Sequence, residues 1–300
     1  MNYFSLFSGI GGLEYGLWKK GHKCVGFSEI KKSSINIYQK NFGEIKNWGD
    51  ITKIDIKELP DFNILLGGFP CQSFSLAGNR EGFKDKRGKM IFYIYEILKE
   101  KKPDYFVLEN VKGLLNHNKG KTYRNVFKLL TFAGYYLRCV LLNSLFYGSA
   151  QSRERIFFLG SKKDFDIKIP EVIDSTKRFR NVRENDGEFE FINESQRIVE
   201  KIEQKRKFNF ELIGGYDRIG TLTTQYGCGE KLVWEKDKFR YLTVKECEKL
   251  QGFSNGWTEG VNNGQRYWQL GNAVNCNVSD YLFNNYLNNL WWREKVIKLK

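Results

Sequence analysis

The chain has 300 residues, 41% hydrophobic and 16% aromatic, enough to bury a core as one large domain or as a domain with a smaller companion. No apolar run reaches the roughly eighteen residues of a membrane helix, and the N-terminus lacks the basic-then-apolar order of a secretory signal. Six scattered cysteines without a C-x-x-C pair, two histidines and a net charge of +14 argue against disulfide or zinc scaffolds, and for a reducing cytoplasm and a polyanionic partner.

Residues 3–7 read as a short apolar strand running into Ser8-Gly9-Ile10-Gly11-Gly12, after which Leu13, Tyr15, Leu17 and Trp18 suggest a helix ending near Gly21. Residues 24–27 form a second strand candidate, followed by a helical stretch at 34–41. Gly49-Asp50-Ile51 is expected near the end of a third strand. Residues 63–66 and 105–108 are compact buried-strand candidates separated by a helical pattern at 90–99. Residues 137–142 and 155–159 continue the alternation. Strands alternating with helices predict an α/β fold with a largely parallel sheet covered on both faces.

The pattern changes after Gly160. Residues 161–211 are charged and irregular, with one helical candidate at 195–207, and residues 212–242 read as short strands with glycine-bearing turns. This region is expected to form a small, mostly β second domain. From Thr243 the sequence turns helical through Val244, Cys247 and Leu250, passes a loop at 254–265, and ends in an amphipathic helix at 279–292. The excess charge is uneven: residues 1–160 hold 25 Lys and Arg against 14 Asp and Glu, whereas the later segments are close to balance. A nucleic-acid partner and a solvated lysine-rich surface both account for this charge.

Three clusters bear chemistry. The turn Phe7-Ser8-Gly9-Ile10-Gly11-Gly12 lies between a strand and a helix, where small residues let a ligand approach the backbone, or let helix and strand pack closely. Glu29 follows the second strand, where a carboxylate can accept ribose hydroxyls, and Asp50 supplies another acid. Gly67-Gly68-Phe69-Pro70-Cys71-Gln72-Ser73 places a thiol after a buried strand and at the head of a polar stretch, 72–89. That position favours a presented nucleophile over a packed thiol. Glu109-Asn110-Val111 and Gln151-Ser152-Arg153-Glu154-Arg155 add a carboxylate and two guanidiniums. Thiol, carboxylate and guanidinium together can attack, protonate and hold a cytosine ring.

The ordered series resembles the DNA (cytosine-5) methyltransferase family over almost the whole length. It also includes Arg87-Gly88-Lys89-Met90-Ile91-Phe92, Arg240-Tyr241-Leu242-Thr243 with Glu246 and Leu250-Gln251-Gly252-Phe253, and Gly271-Asn272-Ala273-Val274. The resemblance implies a Rossmann-like class I S-adenosylmethionine-dependent fold with a small, mostly β target-recognition domain. It implies Cys71 as nucleophile, Glu109 as the acid on cytosine N3, Arg155 on O2 and Arg153 in support. Phe7, Gly9, Gly11, Glu29, Ile30, Asp50, Ile51 and Asn272 match cofactor positions. Phe69, Pro70, Gln72, Ser75, Arg87 and Asn110 match substrate positions.

Two positions depart from the family pattern: Lys31 stands where an acid is frequent, and Asn275 where proline often follows the Gly-Asn-Ala-Val motif. A base must leave the duplex for a thiol to reach C6, at a cost of roughly a few kcal/mol. The stretch 72–89, with Arg80, Lys84, Lys86, Arg87 and Lys89, is expected to close over it while gripping phosphate.

Arg218 and the Thr224-Gln225-Tyr226 loop are candidates for reading base edges. The expected organisation is a catalytic domain at 1–170, a recognition domain with its hinge at 171–257, and a C-terminal segment at 258–300 returning to the first. The expected product is S-adenosylhomocysteine, with no metal. The expected partners are duplex DNA and a cognate restriction endonuclease, with the protein itself monomeric. A tRNA methyltransferase of the same family, or a silent DNA-binding member, would share much of this pattern. Intact Cys71, Glu109 and Arg155 disfavour the silent form, and the compact chain with glycine-rich loops favours DNA.

Overall fold

The structure is a computed structural model that describes residues 1–70, 90–166, 176–185, 189, 191–192, 211–214, 217–229, 231–236 and 238–286. The chain packs as two compact units. One comprises Met1–Leu142, Glu154–Glu171 and Val278–Lys300, the other Asn143–Arg153 and Val172–Asn277.

The first unit is built on a six-stranded sheet. Its strands are β1 (Asn2–Leu6), β2 (Lys23–Ser28), β3 (Ile64–Gly68), β4 (Tyr105–Val111), β5 (Tyr136–Asn143) and β6 (Glu154–Ser161), in the order β2-β1-β3-β4-β6-β5. β1 pairs in parallel with β2 and β3, and β3 in parallel with β4, as the alternation predicts. β6 runs the other way: it pairs antiparallel with β4, Glu109 opposite Phe157 and Val111 opposite Arg155. The expected third strand shrinks to one parallel bridge between Phe27 and Asn47. Gly49 takes a φ of +69°, and the Asp50 carboxylate then accepts from Thr52 N at 2.9 Å, so a 3-10 turn at Ile51–Lys53 replaces the strand.

Alternate residues of the strands face opposite layers. One face, with Phe4, Leu65, Phe106 and Phe158, packs under α3 (Met90–Lys101) and α4 (Lys121–Phe132). Ile91, Ile94, Ile97 and Leu98 recur on one side of α3, and burying each stabilises the fold by about 1.5–3 kcal/mol. The other face holds the short α1 (Tyr15–Lys19), α2 (Lys32–Phe42) and a helix that includes residues 276–286. Phe27 of β2 stacks on Tyr38, and Tyr38 on Phe42, with ring centroids 4.3 and 4.4 Å apart. Within the first unit, Gly16 lets α1 approach the last helix: its N–H donates to Ser279 Oγ at 3.0 Å, and a Cβ there would lie 2.6 Å from Ser279 O.

The second unit holds a three-stranded sheet of β7 (Glu211–Ile213), β8 (Lys231–Glu235) and β9 (Lys238–Tyr241), parallel then antiparallel. Arg240 is fully buried and bonds Glu246 through both terminal nitrogens at 2.9 Å, and Glu235 at 3.1 Å. α5 (Val244–Gln251) starts with a reciprocal cap, Glu246 N to Thr243 Oγ1 at 3.1 Å and Thr243 N to Glu246 Oε2 at 2.9 Å. The loop expected at 254–265 is shorter than its sequence suggests. Asn262 caps a helix, α6 (Asn263–Asn272), by accepting from Gln265 N at 2.9 Å. The helical candidate at 195–207 and the end of the 279–292 helix lie outside the described residues.

Candidate functional site

Two side chains with opposite charge meet at the end of β4. Glu109 and Arg155 occupy diagonal positions on one face of the β4–β6 pair, a spacing that a long side chain can span. Arg155 Nε lies 2.9 Å from Glu109 Oε1, both side chains are largely shielded, and Arg155 Nη1 donates to Glu154 O at 2.8 Å. Between them in sequence position, Asn110 is buried and donates to Phe69 O at 2.9 Å, while its own Oδ1 accepts from Val111 N at 2.8 Å. Asn110 therefore fixes the main chain just before Pro70. Cys71, Gln72, Ser75 and Arg87 lie outside the described residues.

A cavity of about 500 Å³ opens beside the glycine turn. Phe7, Ser28, Glu29, Ile30, Gly49, Asp50 and Ile51 line it, joined by Thr52, Met90 and Tyr93. The two glycines of the turn serve different ends. A Cβ at Gly9 would meet open space, whereas one at Gly11 would fall 2.0 Å from the Phe42 ring. Gly11 therefore admits α2, and Gly9 leaves room at the backbone. Phe7 itself holds a φ of +53°, costly for a bulky side chain and typical of functional turns.

Glu29 organises this turn. Its Oε2 accepts from Gly9 N at 2.9 Å, and its Oε1 accepts from Ile30 N at 2.8 Å and Lys31 N at 2.9 Å. The Ile30 side chain is 71% exposed and lines the cavity. Beneath the turn, the buried Glu14 accepts from Ser5 Oγ, and burial pushes its carboxyl up to about 7, with the Glu29 charge adding to the rise. Open space above the Gly9 Cα, a carboxylate acceptor at the end of β2 and apolar side chains thus meet at this turn.

In the second unit, Arg153 is only 2% exposed and is spent on main chain, with Nη1 donating to Leu222 O at 3.2 Å and Nη2 to Gly271 O at 2.9 Å. Arg218, Thr224, Gln225 and Tyr226 are exposed. Asn272 is exposed as well and donates to Trp268 O at 3.0 Å. Asn275 is buried and donates to Leu250 O at 2.9 Å, a bond that proline could not make. Among the described residues no cluster of His, Cys, Asp and Glu is placed to hold a metal ion, and no helix is long and apolar enough to cross a membrane.

The sequence profile of C-5 cytosine-specific DNA methylases matches residues 1–227 and 173–288. The chain belongs to that family. It is 37% identical to the type II methyltransferase M1.ScrFI of Lactococcus lactis subsp. cremoris, over 90% of this chain and 73% of that protein. It is 38% identical to M.NgoBI of Neisseria gonorrhoeae, covering 91% and 89% of the two chains. Against M.HhaI of Haemophilus parahaemolyticus the identity is 32%, covering 95% and 94%. The fold is also that of the Entamoeba histolytica methyltransferase EhMeth, with a TM-score of 0.79 at 23% identity and coverage of 97% and 98%. The Schizosaccharomyces pombe Dnmt2 methyltransferase gives the same score at 22% identity, covering 97% and 99%.

This C-5 cytosine DNA methylase is thus a DNA (cytosine-5) methyltransferase, and its family uses S-adenosylmethionine as methyl donor. Six cavity residues escape the sequence reading as cofactor candidates: Ser28, Gly49, Thr52, Lys53, Met90 and Tyr93. Ser28 was signalled only by adjacency to Glu29, and Met90 by its place in the Arg87-Gly88-Lys89 motif. Tyr93 lies one turn further along α3, and no sequence pattern singles it out.

Proposed function

We propose that this methyltransferase acts through Cys71, Glu109 and Arg155 on a cytosine turned out of duplex DNA. The observation that supports this reading most directly is the Glu109–Arg155 pair at the end of β4, beside the Phe69 carbonyl that Asn110 holds. In that geometry Arg155 orients the Glu109 carboxyl and offers further N–H donors to cytosine O2. Glu109 gives a proton to N3, which withdraws electrons from C6. The Cys71 thiolate then adds to C6 and leaves C5 nucleophilic. Once C5 has gained the methyl group it loses its proton, the Cys71–C6 bond breaks, and the thiolate returns. Phe69 and Pro70 shape the pocket around the exocyclic amine, and Gln72, Ser75 and Arg87 belong to the closing stretch.

S-adenosylmethionine, when bound, supplies the electrophilic methyl group. We assign its ribose to Glu29, whose two oxygens are already aligned by three backbone donors, and its base to Ile30, Asp50 and Ile51. Phe7 and Gly9 are assigned to its amino-acid end, and Asn272 is assigned to the cofactor as well. The reaction so read needs no metal and releases S-adenosylhomocysteine. By function we assign residues 1–170 to the catalytic domain, 171–257 to the recognition domain with its hinge, and 258–300 to the return into the catalytic domain. The packing units divide differently, grouping Asn143–Arg153 with Val172–Asn277. Arg218, Thr224, Gln225 and Tyr226 read the target. The relatives' type II names support a restriction–modification role. We assign the protein a cognate endonuclease and a bacterial cytoplasm, and read the methylase itself as monomeric.

The test is bisulfite sequencing of mixed-sequence duplex DNA incubated with the protein and S-adenosylmethionine, with Cys71→Ser alongside. Protected cytosines confined to one short motif and absent with the variant are expected. Unchanged protection by Cys71→Ser would remove the nucleophile assignment.

A further inference from the structure

The Gln151-Ser152-Arg153 segment bonds residues 219–222 on one side and Asn143, Ser144, Leu250 and Gln251 on others, all within the second unit. Gln151 is fully buried; its Oε1 accepts from Leu222 N at 3.1 Å, and its Nε2 donates to Gln251 Oε1 at 3.2 Å. Ser152 N donates to Ile219 O at 2.6 Å, and Ser152 O accepts from Thr221 Oγ1 at 2.8 Å. Arg153 then joins two main-chain carbonyls from different segments, Leu222 O and Gly271 O.

Those two segments also touch directly. A Cβ at Gly271 would lie 2.2 Å from Thr223 O and 2.7 Å from Thr224 N, so only glycine permits this approach. The contact is extended by Tyr226, whose ring centroid is 4.9 Å from that of Tyr267 on α6, the helix that ends at Asn272. One residue beyond each clamped point stand exposed groups, Asn272 after Gly271 and Thr224-Gln225 after Thr223.

A guanidinium buried this deeply is costly unless its donors are met, and its planar fork fixes both the distance and the angle between two acceptors. A lysine could neutralise neither requirement in the same way, because its ammonium is a single point donor on a flexible stem.

We propose that Arg153 is a positioning residue that holds the target-reading segment 222–226 in register with the Gly271–Asn272 end of α6, so that target discrimination and cofactor affinity are linked. The inference rests on the assignment of Thr224–Tyr226 to the target and Asn272 to the cofactor. Displacing either segment moves the other, because both hang on one rigid cation and one side-chain-free contact. Arg153 acts through these main chains and needs no contact with the cytosine.

The experiment compares wild type with Arg153→Lys and Gly271→Ala, using mixed-sequence duplex DNA and tritiated S-adenosylmethionine. It reads kcat, KM for S-adenosylmethionine, melting temperature, and the bisulfite ratio of main-motif sites to sites differing by one base pair. Arg153→Lys is expected to raise KM about tenfold and to lower the fidelity ratio about tenfold together. Gly271→Ala disturbs the same contact without altering charge and should give the same joint loss.

Loss of kcat alone, or a loss of fidelity without a change in KM, overturns the linkage. If Arg153→Lys does not fold, Gly271→Ala decides by the same two readouts. Failure of the wild type to methylate any motif would instead refute the reading on which the inference rests.

Discussion

Arg155 and Glu109 face each other across a diagonal of the β4–β6 ladder, with Nε 2.9 Å from Oε1, although 46 positions separate them in the chain. The pair is held by two neighbouring strands and needs no mobile element to form. Glu109→Gln keeps the shape but cannot deliver a proton to N3, and general-acid catalysis is worth about 10²–10⁴-fold. We expect kcat to fall by about 10²-fold or more while S-adenosylhomocysteine binding, read by calorimetry, stays within about threefold. Equal losses in both would show that Glu109 serves the fold rather than the reaction.

Glu29 is expected to govern cofactor affinity. Hydrogen bonds to a charged group are worth about 1.5–3 kcal/mol, so Glu29→Ala should weaken S-adenosylmethionine binding by about 10–100-fold. The turnover at saturating cofactor should change little. A dissociation constant unchanged by Glu29→Ala would move the ribose elsewhere.

Glu14 makes stability depend on pH. Its folded value of about 7 lies above the ordinary carboxylate value of 4.5, chiefly through burial. The native state therefore holds a proton that the unfolded chain releases between these values, and stability contributed by Glu14 falls as pH rises through that window. Below about pH 4.5 both states are protonated and the penalty vanishes; above about 7 it is complete, at about 3 kcal/mol. Glu14→Gln keeps an acceptor for Ser5 Oγ and removes the titration. Denaturant melts of both proteins at pH 5.5 and 8 should show the variant gaining relative stability at the higher pH; parallel curves would exclude a buried, titrating Glu14.

The second unit depends on a buried ion cluster. Arg240 is bonded to Glu246 and Glu235, and Arg183 Nη2 also reaches Glu235 at 2.8 Å. Arg240→Met would leave Glu246 buried without its cation, at a cost of about 3–5 kcal/mol. Guanidinium unfolding should show this loss. The double variant Arg240→Met/Glu246→Leu, which removes both charges, is expected to recover part of it. A single variant within about 1 kcal/mol of wild type would mean that water or another group reaches the site.

Much of the first unit was legible because β1, β3 and β4 are short apolar runs set between helical periodicities, a pattern that burial on both faces imposes. The reversal of β6 was not, because a side-chain pattern repeats identically in either strand direction. The α6 helix escaped because Asn263-Gly264-Gln265-Arg266 looks like a turn. Its helical state comes from the Asn262 cap and from burial of Tyr267, Gln269, Leu270 and Gly271, which composition does not announce. The place of Glu29 beside the cavity was readable from its position after β2, whereas Asp50 follows a single bridge and caps a 3-10 turn. Arg153 reads in the sequence as a support of the catalytic site, and its attachment to Leu222 and Gly271 depends on contacts 69 and 118 positions away.

A parallel β6 would begin at the far rim of the sheet and bring only its last residues to the rim where β1, β3 and β4 end. The reversed strand instead starts at that rim, so Arg155 reaches Glu109 as soon as the strand begins. Reactive groups can then be delivered to one rim by strands leaving it as well as by strands arriving.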